Sequence, residues 1–367
     1  SSDVCSSDLL WRDDWLKNVG IGKVPETLDE AAEAFYKFVN DDPDKNEKKD
    51  TYALSDKGIY AIYGAFGALG DNSCWIKDGN GGVILSGAVP TMKDALTVLN
   101  KWYKDGLIDP EFISGENKGQ YWANSVTFWN GKIGFTVPGT YYHVNPPLYD
   151  GNKGSDFFKT FKELQGEAAT YSAGPAIKGP AGKSGLPRFS YFSGACMMFG
   201  KDCAKEPKKL EKAMQIFEAL NTDEEFFKLC RYGREGTEYD MVDGYPVTRE
   251  EVKSAGIPNK LALGANGICQ LQNNHDMIKK IGSRPEVVAY ADKYAATPDY
   301  LNEVFVSLPS YPQYKANIDK KIKENYALFI TGQRSLTEWD KFIEEINKEG
   351  LAQLTTEANE WYKKANQ

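Results

Sequence analysis

The chain has 367 residues, which is more than one hydrophobic core usually serves, so two lobes are the default expectation. Its net charge of -8 and its sequence pI near 5.1 argue against binding of nucleic acid through phosphate neutralisation. No apolar run in the sequence reaches the roughly 18 residues that a membrane helix needs. Cysteine and histidine occur without the spacing of a zinc motif or a hydrolase triad.

The first nine residues differ in character from the rest of the chain. Residues 1–9 contain a direct repeat of Ser-Ser-Asp around Val4 and Cys5. A lipidation site at Cys5 is rejected, because Asp3 and Val4 stand where small and apolar residues are expected. We interpret residues 1–9 as a non-native segment and exclude them from fold reasoning. The pattern of a fold begins abruptly at Leu10, so we expect the N-terminal part of the protein to be missing, and the fragment to fold poorly alone.

Six helices are predicted from capping residues and apolar spacing. A capping box, Thr27-Leu-Asp-Glu30, precedes an apolar stripe that includes Phe35. Pro207 opens a helix whose stripe includes Met214 and Leu220. The other four helices are indicated by a cap at Thr91 with a stop at Gly106, by caps at Thr222-Asp-Glu-Glu225 and Ser335-Leu-Thr-Glu338, and by the periodic segment through Leu354 and Trp361.

Strand signals are shorter than the helix signals and are bounded by glycine. They occur at 82–86, 132–137 and 189–199. Segment 171–187 is rich in Gly, Pro and Ala and is predicted to be a loop or crossover, and 240–274 has little pattern. Helices that alternate with short strands indicate an α/β architecture.

One acidic segment has the spacing of a cation-binding loop. Oxygen-bearing side chains stand at every second position, so that a loop can wrap several oxygens around calcium, and Lys48 stands where a backbone carbonyl is offered. Glu47 replaces the sharp-turn glycine of an EF-hand, and Ala53 replaces its bidentate glutamate. From the pattern alone, a solvated acidic turn is the alternative. The predicted metal-binding residues are Asp42, Asp44, Asn46, Lys48 and Asp50.

Aromatic residues make up 13% of the chain, which is compatible with a ligand that stacks on rings. Segment 121–143 carries several of them without a helical period, which favours a loop that faces a ligand. Arg188 lies at the end of the crossover, where two lobes would meet and where ligands tend to bind. The predicted ligand-binding residues are Trp75, Trp122, Trp129, Tyr141, Tyr142, Arg188 and Tyr191.

Paired carboxylates are the feature that a glycosidase would require. The pairs Asp13/Asp14 and Glu224/Glu225 lie at or near helix starts, where acidic residues favour the helix dipole. We therefore interpret both pairs as structural and predict no catalytic residue.

Several local motifs follow one another in a fixed order across residues 10–367. They include Arg12-Asp-Asp14-Trp-Leu16, Tyr103-Lys-Asp-Gly106-Leu-Ile-Asp-Pro110, Trp129-Asn-Gly131-Lys-Ile-Gly134, Tyr232-Gly-Arg-Glu235-Gly-Thr-Glu-Tyr239 and Phe329-Ile-Thr-Gly332-Gln. This series resembles the family 1 extracellular solute-binding proteins of bacterial ABC importers, in particular the large lipoprotein subgroup of Gram-positive bacteria, and is similar to the alginate-binding members.

The resemblance implies a two-lobed, periplasmic-binding-protein-like α/β fold of type II, with a ligand cleft between the lobes. Residues 10–187 would form most of the second lobe and residues 188–300 the remainder of the first. The C-terminal helices in 301–367 would pack on the second lobe. Some relatives bind calcium in the segment that matches 42–50, so a structural Ca²⁺ is expected there.

The function that the resemblance implies is extracellular saccharide binding for import. The protein would be a monomer, lipid-anchored to the cell membrane, that delivers its ligand to the transmembrane subunits of an ABC permease without catalysis. Two alternatives remain open. One is a polysaccharide-active enzyme, a hydrolase or lyase, which requires a catalytic pair. The other is a carrier of peptides or other solutes on the same fold.

Overall fold

The computed structural model describes residues 7–70, 74–113, 126–140, 144–187, 199–254, 274–282, 284–295, 299–300 and 302–366. The chain forms two compact units. The larger unit comprises Cys5–Arg188 and Tyr294–Gln367, and the smaller unit is drawn from Phe189–Lys293.

The α-helices vary from single turns to a 21-residue helix near the C-terminus. In chain order they are α1 Asp13–Asn18, α2 Leu28–Asn40, α3 Asp56–Ala65, α4 Met92–Lys104, α5 Val126–Trp129, α6 Asp156–Gln165, α7 Pro207–Thr222, α8 Glu224–Tyr232, α9 Glu250–Ser254, α10 His275–Met277, α11 Pro285–Ala295, α12 Tyr311–Thr331, α13 Trp339–Ile346 and α14 Ala352–Ala365. No helix among the described residues combines the length and the apolar character needed to cross a membrane.

The strands are short. They are β1 Ser7–Arg12, β2 Trp75–Lys77, β3 Val83–Leu85, β4 Phe135–Thr140, β5 Tyr171–Gly174, β6 Leu186–Pro187, β7 Tyr239–Val242, β8 Tyr245–Thr248 and β9 Asp299–Tyr300. Together with the helices they confirm the predicted α/β class.

A three-stranded sheet lies at the centre of the larger unit, in the order β4-β1-β5. Both pairings are antiparallel, and Leu10 stands opposite Thr136 on one side and Ala173 on the other. Leu9 pairs with Gly174 and is fully buried. The boundary that the sequence suggested between residues 9 and 10 therefore falls inside β1. The prediction that Leu9 lies outside the fold is corrected.

Aromatic side chains fill the core beside this sheet. Trp11 of β1 stacks on Phe35 of α2 with ring centroids 5.4 Å apart and contacts Phe135 of β4 at 4.4 Å. Trp102 of α4 meets Phe35 edge-on at 5.3 Å. Since all four rings are nearly or fully buried, β1, α2, α4 and β4 form one packed layer.

The C-terminal helices α12, α13 and α14 contribute to the same core, through buried residues such as Phe329 and Phe342. Asn100 of α4 donates from Nδ2 to the carbonyl oxygens of Phe329 and Ile330, at 2.9 and 3.1 Å. These bonds satisfy carbonyls at the end of α12, where Gly332 ends the helix in the left-handed conformation.

The smaller unit contains the helices α7 and α8 and the β7–β8 hairpin. Asp243 and Gly244 form the hairpin turn with φ angles of 53° and 83°, as a two-residue type I′ turn requires. Glu238, which is almost fully buried, accepts hydrogen bonds from the backbone N–H and the guanidinium of Arg234. The motif from Tyr232 to Tyr239 thus folds into a tight turn between α8 and the hairpin.

Local capping explains where the sequence predictions hold and where they are wrong. The capping box at Thr27 and Glu30 is confirmed, since each side chain accepts from the other residue's backbone N–H. Thr91 stands at the N-cap of α4, but its side chain makes no capping hydrogen bond. Asp223, rather than Thr222, caps α8 by accepting from the N–H groups of residues 225 and 226.

Two segments predicted to lack regular structure contain strands. Segment 171–187 holds β5 and β6, and the stretch 240–274 begins with the β7–β8 hairpin. The strand predicted at 189–199 lies outside the described residues except for Phe199.

Candidate functional site

The acidic loop, residues 41–50, joins the end of α2 to the segment that leads into α3. Asn18, at the end of α1, donates from Nδ2 to the Pro43 carbonyl oxygen at 2.7 Å. On the other side, the Thr51 hydroxyl donates to the Phe38 carbonyl oxygen at 2.7 Å. Because both ends are tied to helices of the larger unit, the loop has a fixed base.

The Asp42 carboxylate organises the turn of the acidic loop. Its two oxygens accept from the backbone N–H groups of Asn46, at 3.1 Å, and Glu47, at 3.0 Å. Lys45 and Glu47 adopt positive φ angles of 57° and 61°, a region that favours glycine, so the loop curls at some conformational cost.

The Asn46 side chain lies between two further carboxylates of the acidic loop. Its Nδ2 donates to Asp44 Oδ2 at 2.8 Å and to Asp50 Oδ1 at 3.2 Å. Its Oδ1 accepts from the backbone N–H of Lys48 at 2.8 Å. The structure therefore brings Asp42, Asp44, Asn46, Lys48 and Asp50 into one hydrogen-bonded group.

The local electrostatics set two of these carboxyl groups apart. Burial raises the pKa of Asp44, and the neighbouring Asp42 and Asp50 carboxyl groups add to the rise. Burial also acts to raise the pKa of Asp42, but the Glu47 N–H and the other backbone N–H groups of the turn outweigh it and lower that pKa. Asp44 Oδ1 is buried and has no hydrogen-bond partner in the part of the chain that the structure describes.

These oxygens match the preference of calcium for carboxylate, amide and carbonyl ligands. In the structure, however, the oxygens of Asp44 and Asp50 accept hydrogen bonds from the Asn46 amide nitrogen and do not surround a position for a cation. Across the described ranges, no group of three or more His, Cys, Asp or Glu side chains has the geometry to hold a metal ion. The donor chemistry fits a hard cation, but the Asn46 side chain has to turn before its oxygen faces the carboxylates.

The aromatic candidates differ sharply in exposure. Trp75 is 1% exposed, and its Nε1 donates to the Tyr311 hydroxyl at 2.6 Å. The prediction that Trp75 contacts a ligand is therefore corrected, because the ring belongs to the core of the larger unit. The predicted residues that lie outside the described ranges are Trp122, Tyr141, Tyr142, Arg188 and Tyr191.

Trp129 is half-buried at the end of α5, with its ring 5.1 Å from that of Phe157. Gln165 donates from Nε2 to the Trp129 carbonyl oxygen at 2.7 Å and accepts from Arg12 at 2.9 Å. Gly131, in the turn after α5, has a φ angle of 71°, a region that favours glycine, and a side chain there would also crowd the end of Gln165. Sequence reasoning missed Gln165, which no local motif marks.

Arg12 is a buried structural cation rather than a ligand contact. Its guanidinium forms two hydrogen bonds with Asp14, at 2.7 and 2.9 Å, and lies over the rings of Trp15 and Phe161. The neighbouring Asp13 pairs with Lys17 at 2.8 Å. In the second acidic pair, Glu225 pairs with Lys228 and Glu224 with Lys280. All four carboxylates thus have cationic partners.

Two proteins of Bacillus subtilis (strain 168) align with almost the whole chain. The polygalacturonan/rhamnogalacturonan-binding protein YtcQ is 27% identical over 373 aligned positions, which cover 97% of this chain and 68% of that protein. Lipoprotein LipO is 25% identical over 377 positions, covering 98% and 69%. The chain is homologous to both proteins. No family model matches it.

Solved structures share the fold at lower identity. The alginate-binding protein AlgQ2, solved without calcium ion, gives a TM-score of 0.63 at 18% identity over 97% of this chain and 71% of that one. The Streptococcus pneumoniae ABC-transporter substrate binding protein FusA, as an EF-hand mutant with fructo-nystose, gives 0.64 at 17% identity over 99% and 74%. An extracellular solute-binding protein from Bifidobacterium longum subsp. infantis gives 0.63 at 16% identity over 97% and 73%. The predicted two-lobed α/β fold of solute-binding proteins is confirmed.

Proposed function

We propose that this chain, which has the fold of ABC-transporter solute-binding proteins, is a saccharide-binding component of an importer. The observation that carries the proposal is homology, over 97% of the chain, to a protein that binds polygalacturonan and rhamnogalacturonan. Structural neighbours hold or bind other sugars, alginate and fructo-nystose among them. An oligosaccharide is therefore the ligand class, and both acidic and neutral sugars belong in the test.

We assign the larger unit to the second lobe and the smaller unit to part of the first. The separate cores of the two units support this assignment. The larger unit has a continuous core that includes the C-terminal helices. The described part of the smaller unit has its own buried group, Phe227, Met277 and Ile281. In this proposal, 301–367 completes the second lobe.

We also propose that the protein binds its ligand without turnover. The carboxylate pairs that a hydrolase would use are engaged in ion pairs: Asp14 with Arg12, Asp13 with Lys17 and Glu224 with Lys280. This engagement supports a binding role over a hydrolase or lyase.

Among the described aromatic residues, we propose that Trp129 contacts the ligand. The backbone of Trp129 is tied to α6 through Gln165, which orients a half-buried ring next to a chain segment rich in aromatics. An indole fixed in this way presents a face to a sugar at little entropic cost. Its expected partners in the sequence remain Trp122, Tyr141, Tyr142, Arg188 and Tyr191.

An extracellular, lipid-anchored monomer that docks on permease subunits is the cellular setting that we propose. The homologous protein LipO is a lipoprotein, which supports the anchor. Structural neighbours are ABC-transporter substrate binding proteins, which supports the permease as partner.

A thermal-shift screen tests the saccharide proposal directly. The panel contains oligogalacturonides, rhamnogalacturonan fragments, alginate oligosaccharides and fructo-oligosaccharides, with a mixture of peptides as the competing class. A ligand at 100 times its Kd stabilises the folded state by about 2.7 kcal/mol. We expect such a rise in melting temperature with at least one oligosaccharide. A rise with peptides alone contradicts the proposal.

We further propose that the acidic loop binds calcium in a structural role. The fixed base of the loop, its oxygen-rich side chains and the unpaired Asp44 Oδ1 support this role. Three carboxylates, one amide oxygen and the Lys48 carbonyl offer five oxygens, so water or a neighbouring carbonyl must complete a shell of about six to eight.

Chelation tests the calcium proposal. We expect a chelator to lower the melting temperature of the wild-type chain and calcium to restore it. Asp44→Ala removes the chelator's effect and leaves saccharide binding unchanged. Asp78→Ala is the matched control, because Asp78 also caps backbone N–H groups in a turn of the same unit, at 2.7 and 2.9 Å. If added calcium leaves the melting curve of the chelated wild type unmoved, the loop is a solvated turn.

A further inference from the structure

We propose that Gln165 is a positioning residue for the saccharide site, because it fixes the main chain at Trp129 and links it to the ion pair of Arg12 and Asp14. The proposal rests on the proposed function, and in particular on the contact proposed between Trp129 and the ligand. Its basis is a continuous chain of hydrogen bonds from Asp14 through Arg12 and Gln165 to the Trp129 carbonyl oxygen.

One stripe of α6 holds the short helix α5. Phe157, Phe161 and Gln165 follow one another at a spacing of four residues, so their side chains lie on the same side of α6. The Phe157 ring lies 5.1 Å from that of Trp129, and the Phe161 ring stacks on that of Phe128 at 5.7 Å. A helix of a single turn has little stability of its own, so α5 depends on α6 for its position.

The Trp129 carbonyl lies at the point where the hydrogen bonds of α5 run out. The carbonyl oxygens of residues 126–128 accept from the backbone N–H groups of residues 130–132. The next carbonyl, that of Trp129, accepts from the Gln165 side chain at 2.7 Å. The Trp129 Nε1 is buried without a hydrogen-bond partner in the part of the chain that the structure describes. Among the described contacts, the hydrogen bond that orients Trp129 is therefore the one from Gln165 to its main chain.

The Gln165 amide can take only one orientation. Its Oε1 accepts from the Arg12 guanidinium at 2.9 Å, and a guanidinium can only donate. Its Nε2 faces the Trp129 carbonyl oxygen, which can only accept. A reversed amide would set a donor against a donor and an acceptor against an acceptor, so both contacts select the same orientation.

The Arg12 side chain is itself fixed by several buried contacts. It is 3% exposed, and its Nε and Nη2 donate to the Asp14 carboxylate at 2.9 and 2.7 Å. The guanidinium also lies over the rings of Trp15 and Phe161. A planar guanidinium that is held in this way loses little freedom when it forms one more hydrogen bond. The position of the Gln165 amide is therefore set by buried contacts of the larger unit.

A saccharide that stacks on Trp129 benefits because the ring is oriented before the ligand arrives. Ordering a mobile side chain consumes part of the binding free energy, so a fixed ring binds more tightly than a mobile one. Loss of the Gln165 donor should therefore weaken binding through Trp129. The same loss should have no effect on binding in a chain whose Trp129 ring has been removed.

A double-mutant cycle between Gln165 and Trp129 tests this inference. Gln165→Met removes the amide and keeps an unbranched side chain of similar length. In calorimetric titrations with the four oligosaccharide classes of the thermal-shift panel, we expect it to weaken binding by about fivefold, a coupling typical of residues in contact. Added to Trp129→Ala, it should cause no further loss of affinity. A merely structural residue would lower affinity equally in both backgrounds.

Two further variants complete the experiment. Gln165→Glu keeps the bond to Arg12 and loses only the donor to the Trp129 carbonyl, so it should weaken binding at least as much as Gln165→Met. It carries the same cycle if the methionine variant does not fold. Asn100→Leu is the matched control, because the partly buried Asn100 amide also donates to main-chain carbonyls at a helix end of the larger unit. It should lower the melting temperature and leave the affinity unchanged.

The outcomes separate this inference from the proposed function. If the wild type binds none of the four oligosaccharide classes, the saccharide function is wrong and the inference fails with it. If the wild type binds one of them and the Gln165 variants bind it equally tightly, only the positioning role is overturned. The positioning role is also overturned if Trp129→Ala leaves affinity unchanged, or if the Gln165 variants weaken binding equally with and without the Trp129 ring.

Discussion

The helices α2 and α7 have similar sequence patterns, but the apolar stripe of α2 is far more completely buried than that of α7. Both follow a clear start signal, and both place apolar residues at helical spacing. Phe35 of α2 is fully buried between Trp11, Trp102 and Phe135. Met214 of α7 is 53% exposed in the described part of the smaller unit, although Leu220 of the same stripe is buried.

The difference shows that periodicity specifies a helix but does not specify its partners. The apolar side of α2 meets three aromatic rings from three other elements, which are distant from it in sequence. By contrast, the buried cluster in the described part of the smaller unit is small: Phe227, Met277 and Ile281, with Tyr232 packed against them. The same stripe therefore stabilises the protein only where the fold supplies a surface to cover it.

Truncating the two stripes should have very different effects. Phe35→Ala leaves a cavity among packed rings and should lower the free energy of unfolding by about 3–5 kcal/mol. Met214→Ala should change it by less than about 0.5 kcal/mol, since its side chain is mostly in water.

Tryptophan fluorescence reports the first effect cleanly, because all eight tryptophans lie in the segments of the larger unit. The Met214 variant is followed by circular dichroism in urea. Equal losses of stability for the two variants would contradict the comparison and would mean that Met214 is covered in the folded protein.

Two threonines at N-cap positions of the larger unit differ in the same way, since only one of them makes the predicted contact. Thr27 accepts from the backbone N–H of Glu30, whereas Thr91 makes no capping hydrogen bond at the start of α4. Thr27→Ala should therefore cost about 1 kcal/mol, and Thr91→Ala less than about 0.5 kcal/mol. Urea denaturation of both variants checks the difference, and a larger loss at Thr91 would refute the capping assignment.

Much of the fold was predictable from the sequence because its signals are local. Caps, stripes and glycine stops lie within one or two helical turns, and the capping box at Thr27 is confirmed in full. The family resemblance, which rests on an ordered series of such local motifs, also predicted the two-lobed fold. Strands β5 and β6 were missed, since their Gly, Pro and Ala composition is typical of loops and their pairing partners lie far away in sequence.

The candidate site was predicted less completely, since its key contacts are long-range or depend on orientation. Arg12 and Gln165 are hydrogen-bonded across 153 positions of sequence, and no motif links them. Trp75 and Trp129 are both tryptophan, and only the fold decides which of the two indole rings is buried. The spacing of the acidic loop identified Asn46, but not that its nitrogen, rather than its oxygen, faces the carboxylates.

The smallest expected effect concerns the pH dependence of the α2 capping box. The Lys23 ammonium and the backbone N–H groups of Glu26 and Thr27 lower the pKa of Glu30 from 4.5 to about 2. A lowered pKa contributes stability above the ordinary value, and that contribution is lost as pH falls from 4.5 towards 2. Glu30→Gln should be less stable than the wild type at neutral pH by under about 1 kcal/mol, because the side chain is 35% exposed.

The difference between Glu30→Gln and the wild type should shrink on acidification to about pH 3, measured as the difference in melting temperature. Glu33→Gln serves as the control, since that side chain lies on the same helix and is 63% exposed. A difference for Glu30→Gln that stays constant with pH would show that its carboxylate is not stabilised in the folded state.

The proposed function requires that the chain binds a saccharide and leaves it intact. Calorimetric titration with size-defined oligosaccharides, followed by chromatography of the ligand recovered from the complex, tests both requirements together. We expect saturable binding of at least one oligosaccharide at a single site, reduced at least tenfold by Trp129→Ala, with the recovered ligand unchanged in length. Recovery of shortened oligosaccharides with new reducing ends, above a control without protein, would contradict it.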